Sequence, residues 1–178
     1  MMDKILIAGF GGQGVMFCGK IIAVAGMMDG REVCWIPSYG PEMRGGTANC
    51  SVIVADNEIY SPVIEQADAA IVLNQPSYEK FLHRIKPGGT LVVNASIVEM
   101  DKKRDDIAIV GIPASDMANE MGRPGLANMI CLGALLPSLT MIDEASLIKA
   151  VDSVVGKKNP ELYDLNLAAV SKGMAAVR

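Results

Sequence analysis

The first 30 residues contain the pattern that most restricts the fold: an apolar strand, a glycine-rich turn and a helix. The segment DKILIAGF predicts a strand from Lys4 to Gly9 that is apolar at nearly every position, as strands in the centre of a parallel sheet are. The turn GFGGQG follows at once. The next residues, VMFCGKIIAVAGMM, predict a helix that ends at Asp29-Gly30. This succession predicts an α/β fold.

The rest of the chain continues the alternation of strands and helices. Further strands are predicted at EVCWI, ADAAIVLN, TLVVNAS and IAIVGIP, and a helix at PSYEKFLHRI. The segments ANCSVIVAD and EIYS predict a hairpin across Asp56-Asn57. The last third predicts helices over residues 114–120, 126–136, 144–155 and 160–174. We therefore expect one domain over residues 1–178, a three-layer α/β/α sandwich with a mostly parallel, Rossmann-like sheet and a helical C-terminal end.

Composition excludes several classes of protein. With 20% charged residues and a mean hydropathy of +0.31, the chain is not disordered, and its apolar character favours a subunit of an obligate complex. A net charge of −4 and 4% aromatic residues argue against nucleic-acid binding. Glycines interrupt the apolar N-terminus, and no apolar run approaches the ~20 residues of a membrane span. We expect a cytoplasmic protein without membrane or nucleic-acid contacts.

The four cysteines of the chain are far apart in sequence and form no CxxC pair. This usage predicts reduced thiols, and it provides none of the common local spacings for an iron–sulfur cluster. The chain is expected to bring no metal ligands. Cys18 and Cys131 lie in apolar helical segments and are expected in the core, whereas Cys34 and Cys50 flank a long loop. The single histidine, His83, is expected in solvent.

The glycine turn fits the dinucleotide-binding pattern G-x-G-x-x-G through Gly9, Gly11 and Gly14. That motif also needs an acid at the end of the second strand, and Asp29, at about the right distance, precedes that strand instead. Three interpretations remain open: an NAD site, close strand–helix packing, and a site for another phosphate-bearing ligand or a partner. Gln13 is not required by the motif, and its amide is expected to bond a ligand or a neighbouring subunit.

A second distinctive segment, PSYGPEMRGGTANC, runs from Pro37 to Cys50 between two predicted strands. Gly45-Gly46 permits unusual backbone angles beside Arg44, whose forked guanidinium suits phosphate or carboxylate. The loop starts where ligands bind in open α/β sheets. The alternative is an ordinary surface loop in which Arg44 pairs with Glu42. Asn74 and Asn94, which end two predicted strands, are expected at the same sheet edge, to line a pocket or to cap helices.

Taken together, GFGGQGV after the first strand and PSYGPEMRGG after the second resemble the gamma subunit of the 2-oxoacid:ferredoxin (acceptor) oxidoreductases. The resemblance spans essentially the whole chain and includes NMICLGAL and NPELYDLNLAAVSKG. It implies a complex that oxidatively decarboxylates a 2-oxoacid to an acyl-CoA and passes electrons to ferredoxin. Pyruvate, 2-oxoglutarate and ketoisovalerate oxidoreductases belong to this family.

The resemblance implies that thiamine diphosphate, Mg²⁺, iron–sulfur clusters and coenzyme A belong to the complex, with none bound by this chain alone. The implied partners are alpha and beta catalytic subunits, with a ferredoxin-like delta subunit as a further candidate. No catalytic residue is expected here. The residues that match the family motifs are Gly11, Gly12, Gln13, Gly14, Ser38, Tyr39, Arg44, Gly45 and Gly46. The alternative function is a free-standing NAD(P)- or nucleotide-binding oxidoreductase.

Overall fold

A single six-stranded sheet organises the chain in the computed structural model, which describes residues 1–40, 46–156 and 159–177. The order of strands is β2-β3-β1-β4-β5-β6, and β3 alone runs against its two neighbours. The strands are β1 (Met2–Phe10), β2 (Glu32–Tyr39), β3 (Thr47–Ala55), β4 (Ala67–Val72), β5 (Ile85–Asn94) and β6 (Ala108–Ile112). The expected mostly parallel sheet is confirmed.

Helices cover the two faces of the sheet unequally. The α-helices are α1 (Val15–Met28), α2 (Gln75–Phe81), α3 (Ala114–Glu120), α4 (Ala127–Leu135), α5 (Glu144–Val151) and α6 (Pro160–Ala175). Helix α1 and helices α3 to α6 enclose the larger buried cluster on one face, and α2 with adjacent loop residues covers the other. The three-layer α/β/α sandwich and the helical C-terminal end are confirmed. No described helix is long and apolar enough to cross a membrane.

The central strands follow from their composition. Residues 5–9 of β1, 69–72 of β4 and 91–94 of β5 are mostly apolar and buried, because a helical layer or a loop layer lies above and below them. Strand β2 forms one edge of the sheet and is mostly exposed. Pro37 is tolerated there, since an edge strand can leave a missing N–H on its open side.

The predicted hairpin across Asp56-Asn57 is wrong. Residues 58–61 form no strand, and β3 pairs instead with β2, in a register that runs from Glu32–Ala55 to Tyr39–Ala48. Both sides of β3 are occupied, by β1 and by β2, so no edge remains for a further strand. Asp56 accepts a hydrogen bond from the N-terminal ammonium of Met1 at 2.6 Å and pairs with Arg31.

Helices α4 and α6 pack with their backbones in close approach. A Cβ at Gly133 would lie 2.0 Å from the carbonyl oxygen of Val170, and a Cβ at Gly173 would lie 1.9 Å from that of Ile130. Both positions therefore require glycine. The contact fixes α6 against α4, and thereby the position of the α6 side chains that approach the glycine turn.

Candidate functional site

The glycine turn occupies the carboxyl end of β1, beside the carboxyl ends of the parallel strands β4 and β5. Gly12 and Gly14 have φ values of +101° and +78°, in the left-handed region where other residues are strained. Gly14 is the N-cap of α1 and provides no side-chain cap. A Cβ at Gly12 would meet nothing within 4 Å, so this side of the turn is open. With these two residues in the left-handed region, the outer backbone of the turn can approach a ligand or a partner closely.

The Gln13 amide makes hydrogen bonds within the chain, and Gln13 also lines a cavity beside Gly12. Its Oε1 accepts from the Phe10 N–H at 2.7 Å and from Asn74 Nδ2 at 3.3 Å, and its Nε2 donates to the Leu73 carbonyl at 3.0 Å. The Phe10 N–H fixes the orientation of the amide, because it needs an acceptor. Gln13 therefore ties the glycine turn to the ends of β1 and β4.

Asn128 supports the same turn from α4. Its Nδ2 donates to the Gly14 carbonyl at 3.1 Å, while its Oδ1 accepts from the Met129 N–H at 2.8 Å. A Cβ at Gly14 would lie 2.1 Å from Asn128 Nδ2, so glycine is required there for packing as well as for conformation. The close-packing interpretation of the glycine motif is correct for Gly14, whereas Gly12 is free of such contacts.

Asn74 and Asn94, expected to line a pocket or to cap helices, lie at the carboxyl ends of β4 and β5. Asn74 caps α2, since its Oδ1 accepts from the Ser77 N–H at 2.9 Å. Asn94 bonds Ser115 at the start of α3, through Nδ2 to Ser115 Oγ at 2.8 Å and through Oδ1 from the Ser115 N–H at 3.2 Å. Asn94 and Ser115 also line a cavity of about 270 Å³ with Gly12. Asn74 is a helix cap, whereas Asn94 both bonds the first turn of α3 and lines the cavity.

The end of β2 brings some of the second motif to the turn. Tyr39 is 53% exposed and lines a cavity of about 300 Å³ together with Gly11, Gly12 and Gly14. Ser38 is exposed on the opposite face of the sheet, because side chains alternate along a strand and Trp35 already faces α1 at Gly19.

The described part of the second motif bonds directly to the first. The Gly11 N–H donates to the Gly46 carbonyl at 2.9 Å, and the Gly40 N–H donates to the Thr47 carbonyl at 2.7 Å. The segment expected to be a long loop is therefore strand at residues 37–39 and 47–50. Arg44 and Gly45 lie outside the residues that the structure describes.

A third cavity, of about 440 Å³, lies between the glycine turn, the turn before α4 and helix α6. Its lining includes Gly14, Phe17, Arg123, Leu126, Asn128, Leu162 and Asn166. None of Phe17, Arg123, Leu162 and Asn166 was expected at the site from sequence. The segment Gly122-Arg123-Pro124-Gly125 has the same character as the second motif, an arginine among glycines, and it could have been found by that signal.

The acid that a dinucleotide site needs is absent from the position it would occupy. In that fold a parallel second strand lies beside the first and ends in the acid. Here β3 lies beside β1 and runs the opposite way, with Thr47 opposite Phe10. Asp29 follows the C-terminal end of α1, far from the turn, and bonds the Ser146 hydroxyl. The geometry does not support an NAD site.

The cysteines and the histidine contribute no reactive group to the site. Burial raises the pKa of Cys50 and of Cys131 to about 12, and it raises the pKa of Cys18 well above its ordinary value. These thiols stay protonated at neutral pH, so they are poor nucleophiles and poor metal ligands. His83 is exposed, as expected. Among the described residues, no three His, Cys, Asp or Glu side chains are grouped to hold a metal ion.

Comparison with protein families and curated proteins gives consistent matches. The model of the family "Pyruvate ferredoxin/flavodoxin oxidoreductase" matches residues 4–176. Ketoisovalerate oxidoreductase subunit VorA of Methanothermobacter marburgensis is 34% identical over 96% of this chain, but the match covers 35% of that protein. The 2-oxoglutarate synthase subunit KorC of Methanocaldococcus jannaschii is 35% identical over 97% of this chain and 92% of its own. The chain thus spans about a third of VorA and nearly all of KorC.

Solved structures that match this chain likewise include one much longer chain and one of similar length. The 2-oxoglutarate:ferredoxin oxidoreductase of Magnetococcus marinus, solved with 2-oxoglutarate, coenzyme A and succinyl-CoA bound, superposes with a TM-score of 0.87 at 30% identity. It covers 99% of this chain and 31% of its own. The gamma subunit of a keto/oxoacid ferredoxin oxidoreductase from Geobacter sulfurreducens superposes with a TM-score of 0.83 at 29% identity, over 98% of both chains.

Proposed function

This chain belongs to the pyruvate ferredoxin/flavodoxin oxidoreductase family, and we propose that it is the gamma-type subunit of a multi-subunit 2-oxoacid:ferredoxin oxidoreductase. The complex would convert a 2-oxoacid and coenzyme A to an acyl-CoA and CO₂, with two electrons passed to ferredoxin. In this complex the chain would act as a single domain that packs against alpha and beta subunits. It would enclose the coenzyme A and thiamine diphosphate site without itself supplying a catalytic residue.

The observation that carries this proposal is the open glycine turn, around which three cavities lie. Backbone, apolar and amide groups line most of this surface, and the buried thiols nearby are protonated. Such a surface can hold and cover a ligand, but the described residues that line its cavities include no Asp, Glu, His or Cys side chain. A wall of a shared site has these properties. Gly11, Gly12, Gly14, Tyr39 and Gly46 would form the wall, with Gln13 behind it as a support.

Thiamine diphosphate, when bound in the complex, supplies the carbanion chemistry of decarboxylation, and iron–sulfur clusters carry the electrons. The cysteines of this chain do not fit an iron–sulfur cluster, because they are dispersed and three of the four have raised pKa values. We assign those groups to the partner subunits. Arg44 and Gly45, which match the second family motif, are proposed to meet a phosphate of coenzyme A or an acidic partner group.

Exposed apolar residues near the glycine turn support a subunit interface. Trp35, Ile36 and Tyr39 on the edge strand β2 are 37%, 40% and 53% exposed. An open strand edge that carries such residues is prone to association and is normally covered. Because side chains alternate along a strand, Trp35 and Tyr39 share the face of β2 that packs toward α1, whereas Ile36 lies on the other face. These exposed side chains support an interface at the β2 edge, next to the proposed site.

Anaerobic affinity purification of the tagged chain from its native cells tests this proposal. We expect larger partner chains to be retained, together with iron–sulfur absorbance and thiamine diphosphate. A colourless, partner-free protein that binds NAD(P) would favour the free-standing oxidoreductase instead, and would contradict the proposal.

A matched pair of variants tests the assignment of Arg44. We expect Arg44→Ala to lower the 2-oxoacid- and CoA-dependent activity of the assembled complex while the isolated chain stays folded. Lys20→Ala, at an exposed position of α1, is the control and should leave activity unchanged. Equal activity of the wild-type and Arg44→Ala complexes would remove Arg44 from the site.

A further inference from the structure

The end of the sheet opposite the glycine turn carries a surface that the proposed function does not use. Exposed apolar side chains lie together there: Met2 at the start of β1 is 40% exposed, and Tyr60 and Val63, in the segment after β3, are 90% and 64% exposed. Met2 and Val63 line one cavity of about 540 Å³, and Ser61, the neighbour of Tyr60, lines it too. We call Tyr60 together with this cavity the Tyr60 surface.

The segment that carries Tyr60 is anchored on both sides of it. Ile64 is 3% exposed and belongs to the buried cluster under α2, and Ile59 packs against the same cluster. The guanidinium of Arg84 also donates a hydrogen bond to the Ile64 carbonyl. Because its flanking residues are held inward, the Tyr60 ring is presented to solvent from a fixed base, and little further ordering of the backbone is needed when it binds.

The cavity combines an apolar wall with charged groups. Met2 and Val63 supply the apolar part, and Lys4, Asp68 and Lys86 line the remainder. Asp68 Oδ2 accepts from the Lys4 N–H at 2.6 Å, and its Oδ1 pairs with Lys86. A cavity of this kind suits a group with an apolar body and a polar tip, which is the character of a tyrosine side chain. Methionine sulfur also makes favourable contacts with aromatic rings.

Tyr60 of a second copy of the chain matches this cavity. At 90% exposure, Tyr60 does not occupy the cavity of its own chain, although Ser61 beside it lines the rim. A protruding ring and a cavity that fits it therefore lie side by side on one surface. Two copies related by a two-fold axis can exchange these features, so that each ring enters the cavity of the other copy.

The charges on this surface are also self-complementary. The cavity is lined by two positive side chains, Lys4 and Lys86, and by two negative ones, Glu65 and Asp68. Two copies of a surface with equal numbers of both signs can meet without net repulsion, and each positive group finds a negative group opposite. A partner that carries one sign of charge would fit this surface less well.

We propose that the Tyr60 surface is a contact between two copies of this chain, in which Tyr60 of each copy enters the cavity of the other. The ring packs against Met2 and Val63, and its hydroxyl donates to the Asp68 carboxylate. The contact leaves the glycine turn and the β2 edge free, because it lies at the other end of the sheet. It does not rest on the proposed function, and in the proposed complex it would join two sets of subunits.

Sedimentation velocity of the full-length chain over a concentration series tests the contact. We expect a monomer–dimer equilibrium. Tyr60→Ala should raise the dimer Kd roughly 1,000-fold, since it removes two buried aromatic anchors of about 30-fold each. Val63→Glu, which places a carboxylate against the incoming ring, should have a comparable effect. Both positions are exposed, so circular dichroism and urea unfolding should match the wild type.

A mixture of the two variants tests whether the contact is reciprocal. In a hybrid dimer, Tyr60 of the Val63→Glu copy can still enter the unaltered cavity of the Tyr60→Ala copy, so one of the two contacts remains. The hybrid Kd should therefore lie roughly 30-fold above that of the wild type, well below the Kd of either variant alone. A mixture that associates no better than its components would overturn the reciprocal contact.

Tyr39→Ala is the matched control, because Tyr39 is an exposed tyrosine on the β2 edge, and it should leave the dimer Kd unchanged. A chain that stays monomeric at every concentration would overturn the proposal. So would a dimer that dissociates with Tyr39→Ala and persists with Tyr60→Ala, since it would form through the β2 edge.

Purification of tagged variants from native cells separates this contact from the proposed function. Tyr60→Ala should retain the same partner chains as the wild type. Loss of those partners would show that the Tyr60 surface binds another subunit, and would overturn the second copy as its occupant. A wild-type chain that retains no partners would contradict the proposed function, whereas the dimer of the chain itself is decided by the sedimentation of the variants.

Discussion

At the scale of single residues, Gln13 connects the glycine turn to the central strands. Its amide bonds the Phe10 N–H at the end of β1 and the Leu73 carbonyl after β4. Both bonds are partly buried, so loss of the side chain removes a partner from each of these backbone atoms. The side chain therefore stabilises the backbone shape that the proposed site uses.

We expect Gln13→Ala to lower the free energy of unfolding of the isolated chain by about 1–3 kcal/mol, the range for unpaired buried polar groups. Urea denaturation measures this change. Gln66→Ala is the matched control, since Gln66 is exposed, and it should stay within about 0.5 kcal/mol of wild type. Equal stability of the two variants would show that the three bonds of Gln13 do not hold the turn.

The cysteines lead to a prediction about reactivity and pH. Burial raises the pKa of Cys131 from 9.0 to about 12, which lowers its thiolate fraction at pH 8. Iodoacetamide should therefore modify Cys34, which is partly exposed, and spare Cys18, Cys50 and Cys131 in the folded chain. Mass spectrometry before and after denaturation measures this pattern. Rapid native modification of Cys131 would contradict the buried cluster.

The raised pKa of Cys131 also predicts how the free energy of unfolding changes with pH. The folded state favours the protonated thiol of Cys131, so this contribution is fully present below pH 9 and is lost as the pH rises toward 12. Cys131→Ala should remove this part of the pH dependence. Denaturation of both proteins at pH 8 and pH 10.5 measures the difference, and parallel curves would contradict it.

The sequence motifs predict candidate site residues, but they could not predict the contacts of those residues. The motif identified Gln13, but its three partners come from β1 and from residues about 60 positions away, which no local pattern records. Likewise, Asn166 is one amide among many in the sequence. The contact between α6 and α4 brings it to the lining of the cavity beside Gly14.

At the scale of secondary structure, prediction succeeded where the pattern was local. Helices α1 and α3 begin and end at the predicted residues, because their apolar periodicity and end signals coincide. Strand β2 was predicted to end before Pro37, and it continues to Tyr39 because an edge strand accepts proline. The hairpin error had a different cause. A good turn signal at Asp56-Asn57 could not show that both sides of β3 are already paired.

The contact between α4 and α6 gives a prediction at this scale. A methyl group at Gly173 would overlap the Ile130 carbonyl, so Gly173→Ala must separate the two helices and should lower stability by about 1–3 kcal/mol or more. Thermal or urea denaturation measures the loss. Gly125→Ala is the control, because its methyl group meets open space, and its stability should be close to wild type. A stable Gly173→Ala variant would contradict the close helix contact.

At the scale of the whole molecule, the two faces and the two edges of the sheet have different roles. The helical face is thick and apolar, and it packs against the glycine turn through α1 and α4. The β2 edge exposes apolar residues next to that site. The α/β class and the layer order could be predicted from sequence because buried strands and helices alternate. The antiparallel β3 beside β1, which removes the NAD site, could not, since strand order depends on long-range pairing.

Reconstitution with and without this chain tests the central claim most directly. The proposed alpha and beta partners, purified with their cofactors, would be assayed anaerobically for ferredoxin reduction that depends on a 2-oxoacid and coenzyme A. We predict that addition of this chain restores acyl-CoA formation and that its omission reduces the rate to background. Full coenzyme A-dependent activity without the chain would contradict its role as the subunit that completes the shared site.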